Sequence, residues 1–597
     1  MVRTIPVRTI AAAVLTMALA GADPAAAASP PTGPTAVGYG GAVATVDAEA
    51  TRVGLQVLRD GGNAVDAAIA AAATLGVTEP FSAGIGGGGF LVYYDARTGR
   101  VHTIDGRESA PASMTATSFI NPATGAPYAF GEARVSGLSV GVPGTPATWE
   151  RALRDFGTMP LRAALRPAAR VAERGFAVDA TFRAQIADNA AAFGQFSSTS
   201  ALFLPDGAPP AVGSTFRNPD LARTYDLIGR HGTGAFYRGQ IARDIVATVT
   251  GPPVADTPVG TWAYPIRPAE LTLADLAGYA VRRPAPTRVD YRSYQVYGMA
   301  TPSSGGQAVG EALNILERSD LAGLPREQAL HRYLEASALA FADRNRYVGD
   351  ATPRPLLNEL LSDGFAGERA CLVDPAKAAA KPVAPGIPDG AYGGCPTAPA
   401  GAPDLAGQST TNLTVADRWG NVVGYTLTIE QIGGNGMVVP GRGFLLNNEL
   451  TDFNFAPTQG SAADPNLPAA GKRPRSSMAP TIVTRHGRPV LAVGTPGGPT
   501  IITTVLQVLV NRLDLGMSLP EAIAAPRATQ RNTATVPAEP GFDRAALEAL
   551  GHVFTTMAEI GAATGVELLP DGRVVAVAEP VRRGGGTAGV VRPAGLP

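Results

Sequence analysis

The sequence predicts a mixed α/β (α+β) protein, and three observations carry that prediction. Thr410 to Thr428 contains two runs rich in β-branched residues around the polar turn Arg418-Trp419-Gly420, which is a hairpin pattern. Ala48 to Arg59 and Asn63 to about Leu75 have helical spacing, with Asn63 placed as an N-cap. Short strand-like runs are interspersed along the chain: Ala36–Val46, Phe90–Tyr94, Val101–Ile104, Thr481–Thr484 and Val490–Val493.

The hairpin has an internal consequence. With Gly420 in the left-handed position of a three-residue turn, Asp417 faces Asn421, and counting outward puts Thr428 opposite Thr410. Two opposed hydroxyls at one end of a hairpin are either a stabilising Thr–Thr pair or a catalytic pair.

At 597 residues the chain is long enough for several domains and a large core. A net charge of -1 points away from nucleic acid or an anionic membrane as partner. Arg3 and Arg8, the 13-residue apolar run Ile10–Ala22 and the small residues Ala25–Ala28 form a signal-peptide pattern over residues 1–28. That run is too short to span a bilayer, so export as a soluble extracellular or periplasmic protein is expected. Cys371 and Cys395 are the only cysteines, and an even pair in an exported chain suggests a disulfide.

The Gly-rich stretch Gly84–Phe90 lacks the Lys-Ser/Thr of a phosphate loop and leads into a strand, so close backbone packing is the expected role. Gly137-Leu138-Ser139-Val140-Gly141 matches a serine-hydrolase pattern, but Pro143 and Gly144 follow where a helix is required. Arg107, at the end of a strand, is placed to fork onto a carboxylate. From Thr145 to about Phe365 the pattern is mostly helical, with Leu161–Arg174 kinked or restarted at Pro167. Asp374 to Ala406 is Pro/Ala/Gly-rich and reads as a loose tail. Gly497-Gly498 sits at a strand-to-helix junction, where backbone N–H groups face an anion. No Zn-spaced Cys/His cluster occurs, and neither a metal nor a cofactor is expected.

Several ordered motifs then resemble one family, the γ-glutamyltranspeptidases of the N-terminal nucleophile hydrolases. They are Thr410-Thr411-Asn412 with Asp417–Asn421, Leu446–Phe453, Lys472–Met478 and Gly494–Gly498, preceded by Gly61–Ala68, Gly86–Phe90 and Asp105–Glu108. The resemblance spans nearly the whole mature chain. It implies a four-layer α-β-β-α sandwich made of two chains cut from one precursor. Residues 29–409 would be the large subunit, with 374–409 as its flexible tail, and 410–597 the small one. The cut falls between Ser409 and Thr410, leaving Thr410 as nucleophile with its own α-amine as base.

The resemblance further implies that Thr428 orients Thr410, that Gly497 and Gly498 hold the oxyanion, and that Arg107, Ser476 and Ser477 bind the donor α-carboxylate. Glu430, Glu449 and Asp452 would surround the donor ammonium; many relatives carry Asn at position 430. The implied substrates are glutathione and other γ-glutamyl compounds, with water, amino acids or dipeptides as acceptors. A β-lactam or glutaryl side-chain acylase is the nearest alternative on the same fold, and an unprocessed binding protein is the alternative of another class. The loop Pro457–Gly471 is placed like a lid but contains no aromatic residue.

Overall fold

The computed structural model describes residues 1–2, 33–395 and 410–593. The expected signal peptide beyond its first two residues, the tail from 396 onward and Ser409 lie outside the described residues.

Twelve strands form one sheet. In chain order they are β1 (Thr35–Thr45), β2 (Gly88–Asp95), β3 (Arg100–Asp105), β4 (Thr287–Tyr291), β5 (Tyr294–Gly298) and β6 (Thr411–Asp417). The rest are β7 (Val422–Thr428), β8 (Thr481–Arg485), β9 (Arg488–Gly494), β10 (Thr564–Leu568), β11 (Val574–Val577) and β12 (Thr587–Pro593). The order is β3-β2-β7-β6-β1-β11-β10-β9-β8-β5-β4, with β12 also on β1. Neighbours run antiparallel.

β1 is where the sheet divides. It pairs with β11 along Thr35–Gly38, with β6 along Gly41–Ala44 and with β12 along Gly38–Thr45, and its register shifts between Tyr39 and Ala42. A bulge of this kind bends a strand and raises its twist. The two leaves fold onto one another, so that β6 and β7 lie against β9 and β10. The buried Asn412 amide joins the leaves, 2.7 Å from the Thr426 hydroxyl and 2.8 Å from that of Thr564.

Helices cover both outer faces. Helices α1 (Ala48–Arg59), α2 (Ala64–Thr78), α3 (Thr145–Phe156) and α4 (Leu161–Arg174) share a core with Leu413, Val415, Tyr425 and Leu427 of the hairpin. On the other face α5 (Gly305–Leu316), α6 (Arg326–Tyr347) and α7 (Thr500–Leu513) pack on Ile482, Ala492 and Val566. The layers therefore run α-β-β-α. Helix α2 is buried along its whole length, which its small alanines permit, and Asn63 with Asp66 closes its N-terminus as a capping box.

Some expectations need correction. Helix α4 continues through Pro167 without restarting. A proline forfeits one hydrogen bond there, and buried Leu165, Ala168 and Val171 hold the helix against α2 and its neighbours. The mostly helical region conceals the β4–β5 hairpin, whose first strand alternates buried and exposed over only five residues. The described part of the tail is docked, not loose. Val383 exchanges backbone bonds with the Asn532 amide, Lys381 pairs with Glu335 at 2.5 Å, and the Gly386 N–H donates to Asp343. Polar main-chain partners hold this segment, which composition does not reveal. Cys371 and Cys395 form a disulfide, with Cα atoms 5.4 Å apart.

The glycine run of β2 packs backbone against backbone. A Cβ on Gly87 would overlap the Thr428 carbonyl oxygen, and Gly88 pairs directly with Thr428. Ser139 is buried and donates to the carbonyls of Arg134 and Ser136, so its hydroxyl is structural. Gly87→Ala should cost roughly 1–3 kcal/mol by overpacking. Thermal unfolding of purified protein checks this, and an unchanged midpoint would contradict the packing described.

Candidate active site

The hairpin register is the expected one. Ala416 pairs with Val422 and Thr411 with Leu427, and Gly420 holds φ +86 in the turn. One further step sets Thr410 opposite Thr428. Both residues are buried. The Thr428 hydroxyl accepts the Glu430 N–H at 2.8 Å, and the Thr410 carbonyl accepts from Arg583 Nη1 at 2.5 Å.

From the end of β7 the chain turns directly into a charged pocket. Glu430 sits at φ +77, a left-handed conformation that costs a non-glycine residue on the order of 1–3 kcal/mol. There its carboxylate accepts from the Asn448 amide. Burial pushes the Glu430 pKa well up, and the nearby charges of Asp452 and Glu449 add to this. Asn448 in turn donates its N–H to the Ile429 carbonyl at 3.2 Å. The segment Leu446–Phe453 is thus tied to the hairpin end.

Arg107 lies at the centre, with only 1% of its surface exposed. Its guanidinium donates to Glu449, to Asp452 at 2.5 Å, and to the carbonyls of Pro474 and Arg475 at 3.1 and 3.2 Å. Burial opposes its charge, but Glu449 and Asp452 outweigh that and raise its pKa. Glu449 is pushed up to about 7 by burial, against the opposing pull of Arg107. Expected cation and expected anions therefore meet in one network, paired with each other.

The segment Lys472–Met478 forms the opposite wall. Arg473 anchors it on Asp105 at 2.6 Å, and Arg475 reaches the carbonyls of Arg344, Asn345 and Val348. The Ser476 hydroxyl accepts the Met478 N–H at 3.1 Å, and the Ser477 hydroxyl accepts from Arg344 Nη2 at 2.8 Å. The loop 457–471 is pinned through Asp464, which accepts from Asn454, Thr458 and the Asn466 N–H. Asn466 then reaches both the Asp452 carbonyl and the Arg475 N–H, at 2.7 and 2.9 Å. This loop braces the two walls rather than merely overhanging them.

Gly497 (φ +134) and Gly498 (φ +56) precede α7 in conformations that suit glycine. Their carbonyls accept from Thr500 and Ile501, and among the described residues neither glycine N–H donates to another group. Two such N–H groups at a helix N-terminus form an anion-binding corner.

Sequence reading missed four contributors. Arg583 holds the Thr410 carbonyl, Arg344 holds Ser477, and Asn448 holds Glu430. Glu108 lies buried beside Glu449, its pKa raised well by burial and then by that neighbour's charge. Asn448 and Glu108 lay within matched motifs, whereas Arg344 and Arg583 gave no local signal. The structure also groups His331, Glu335 and His552, whose ligand-type atoms lie within 4.8 Å of one another. These atoms already satisfy one another: the imidazoles are 2.8 Å apart, and Lys381 occupies Glu335. Burial, with help from His331 and Lys381, takes the His552 pKa down to about 3.

Comparison with known proteins gives the family. The family model described as Gamma-glutamyltranspeptidase matches residues 50–589. A glutathione hydrolase proenzyme of Bacillus subtilis (strain 168) is 38% identical over 87% of this chain and 86% of its own length. One of Escherichia coli (strain K12) is 34% identical over 97% of this chain and 98% of its own length. Among solved structures, a cephalosporin acylase from Bacillus halodurans has a TM-score of 0.78 at 29% identity, covering 95% of this chain and 98% of its own. The chain belongs to the γ-glutamyltranspeptidase family.

Proposed function

We propose that this protein is an exported, autoprocessed glutathione hydrolase and γ-glutamyltransferase with Thr410 as nucleophile. The observation that carries the reading is the two-sign pocket, Arg107 against Glu449 and Asp452, reached two residues beyond Thr428. A γ-glutamyl group ends in both an α-carboxylate and an α-ammonium. Such a zwitterion exchanges partners with the Arg107 network: its carboxylate goes to the guanidinium, with Ser476 and Ser477 beside it. Its ammonium goes to Glu449, Asp452 and Glu430. A glutaryl side chain has no ammonium to set against Glu430, Glu449 and Asp452, so the likeness to the cephalosporin acylase stands as the second reading only.

Maturation begins when Thr410 Oγ1 attacks the Ser409 carbonyl. Water hydrolyses the ester, and Thr410 becomes an N-terminus whose amine has an expected pKa of about 7.7–8.0. In turnover that amine takes the hydroxyl proton as Oγ1 attacks the γ-carbonyl, while the N–H groups of Gly497 and Gly498 hold the oxyanion. The amine returns the proton to the leaving nitrogen. The γ-glutamyl-Thr410 ester then passes to water or to an amine. Residues 29–409 and 410–597 would remain together as a heterodimer, because β6 and β7 are paired to β1 and β2 inside one sheet. No described helix is long and apolar enough to cross a membrane.

Thr410→Ala should abolish both chain cleavage and turnover, leaving one band on electrophoresis. Two bands in that variant, or a second chain beginning at another residue, would unseat Thr410. Arg107→Lys keeps a cation but loses the planar fork. It should raise the KM for γ-glutamyl-p-nitroanilide about 10- to 100-fold, the worth of roughly 1.5–3 kcal/mol of charged hydrogen bonding. An unchanged KM removes Arg107 from the donor site.

The pH profile gives an independent check. The Glu449 pKa is raised to about 7, so the carboxyl takes up a proton as pH falls through that value and its attraction for the donor ammonium disappears. The Thr410 amine is lost as a base over a neighbouring range. Log kcat/KM should therefore fall with a slope approaching 2 below pH 7. Glu449→Gln should return the slope to about 1, and a slope of 1 in the unmodified enzyme would contradict this role for Glu449.

A further inference from the structure

Three buried side chains outside the Arg107 network converge on one point: His331 and Glu335, one turn apart on α6, and His552. Two of the chain's five histidines meet here from 221 residues apart, so no local spacing announces them. His331 Nδ1 lies 2.8 Å from His552 Nε2, and Glu335 Oε1 lies 3.9 Å from that same nitrogen. All three ligand-type atoms fall within 4.8 Å of one another.

The docked tail holds the outer atom of each α6 side chain. His331 Nε2 faces the Asp374 carbonyl at 2.7 Å, and Glu335 Oε2 accepts the Ala379 N–H at 3.2 Å. A carbonyl only accepts, so His331 Nε2 carries the ring proton and Nδ1 turns its lone pair inward. The proton between the two rings therefore belongs to His552 Nε2. The cluster already holds one cation, because the Lys381 ammonium sits 2.5 Å from Glu335 Oε1 and 2.9 Å from the Ala379 carbonyl.

We propose that His331 Nδ1, Glu335 Oε1 and His552 Nε2 are the ligands of a zinc ion that staples α6 and the docked tail to the C-terminal part of the chain. Two imidazoles and a carboxylate are a donor set that zinc takes, with a fourth position left for water. Zinc stands about 2.0–2.2 Å from such atoms, which sets tetrahedral neighbours roughly 3.3 Å apart. The separations of 2.8 and 3.9 Å bracket that value, so the rings part slightly and the carboxylate swings in. A ligating histidine ordinarily donates its other N–H to a carbonyl or carboxylate, which fixes the tautomer and the ring. The bond from His331 to Asp374 already does this. On binding, the His552 proton moves from Nε2 to Nδ1, and the Lys381 ammonium keeps its protons and gives up Glu335 to the ion. Asp374–Lys377 are exposed, which leaves a short path in. His331 and Glu335 precede residue 410 and His552 follows it, so the ion ties the two parts together whether or not the chain is cut.

The test uses purified protein carrying no added histidines and dialysed against EDTA. Saturating zinc chloride should raise the unfolding midpoint by about 2–4 °C, and magnesium chloride should leave it unchanged. About one zinc per chain should survive desalting. His552→Ala should lose that zinc. Lys381→Met removes the competing ammonium at similar volume and should tighten the zinc Kd about tenfold or more. This second variant keeps the test decisive where His552→Ala does not fold. Zinc retained by neither the unmodified protein nor Lys381→Met would overturn the site, as would a Kd equal in the two. Full retention in folded His552→Ala would place the ion elsewhere and overturn it as well.

Discussion

The antiparallel register of one hairpin sets the position of everything else in the site. Pairing β6 with β7 through a three-residue turn fixes which residue stands opposite Thr428. Pairing β7 with the glycine strand β2 then fixes the depth of Thr428 within the sheet. A slip of one residue would point each of these side chains to the other face. The close approach of Gly87 and Gly88 to Thr428 excludes such a slip, because any side chain there collides with the neighbouring backbone.

The buried charges around Arg107 depend on that frame. The guanidinium of Arg107 and the carboxylate of Glu449 have almost no exposure and are costly to desolvate, with Asp452 partly exposed beside them, and an arrangement of this kind is weak evidence of stability by itself. Contact between the opposite charges offsets part of that cost. The carbonyls of Pro474 and Arg475 hold the guanidinium in place. Asn466 ties the Asp452 and Arg475 walls together, so that the pocket keeps its width.

Arg583 reaches the start of the hairpin from far along the chain. Its bond to the Thr410 carbonyl comes from a residue 173 positions away, just before the last strand of the sheet. The described tail gives a related lesson. Residues 374 to 395 have the composition of a linker, yet they dock through main-chain bonds to Asn532, Asp343 and Glu335. Composition reports the missing apolar surface, and hydrogen bonds to distant side chains can replace it.

The sequence by itself determined the hairpin and its register, the N-cap at Asn63, the bounds of helices α1 and α4, and the motifs carrying Thr410, Arg107, Glu449, Asp452 and Gly497-Gly498. Those features are local: hydrophobic period, turn chemistry and cap residues act within a few positions. Tertiary structure alone decided that β1 splits the sheet into two leaves, that the β4–β5 hairpin joins a sheet reached from a helical region, and that helix α4 passes through Pro167. It also decided that Arg107 pairs with the acids expected to face it, and that Arg344 and Arg583 support Ser477 and Thr410. Long flexible cations show no periodicity and can reach partners from any element, so their assignments exist only once the chain is folded.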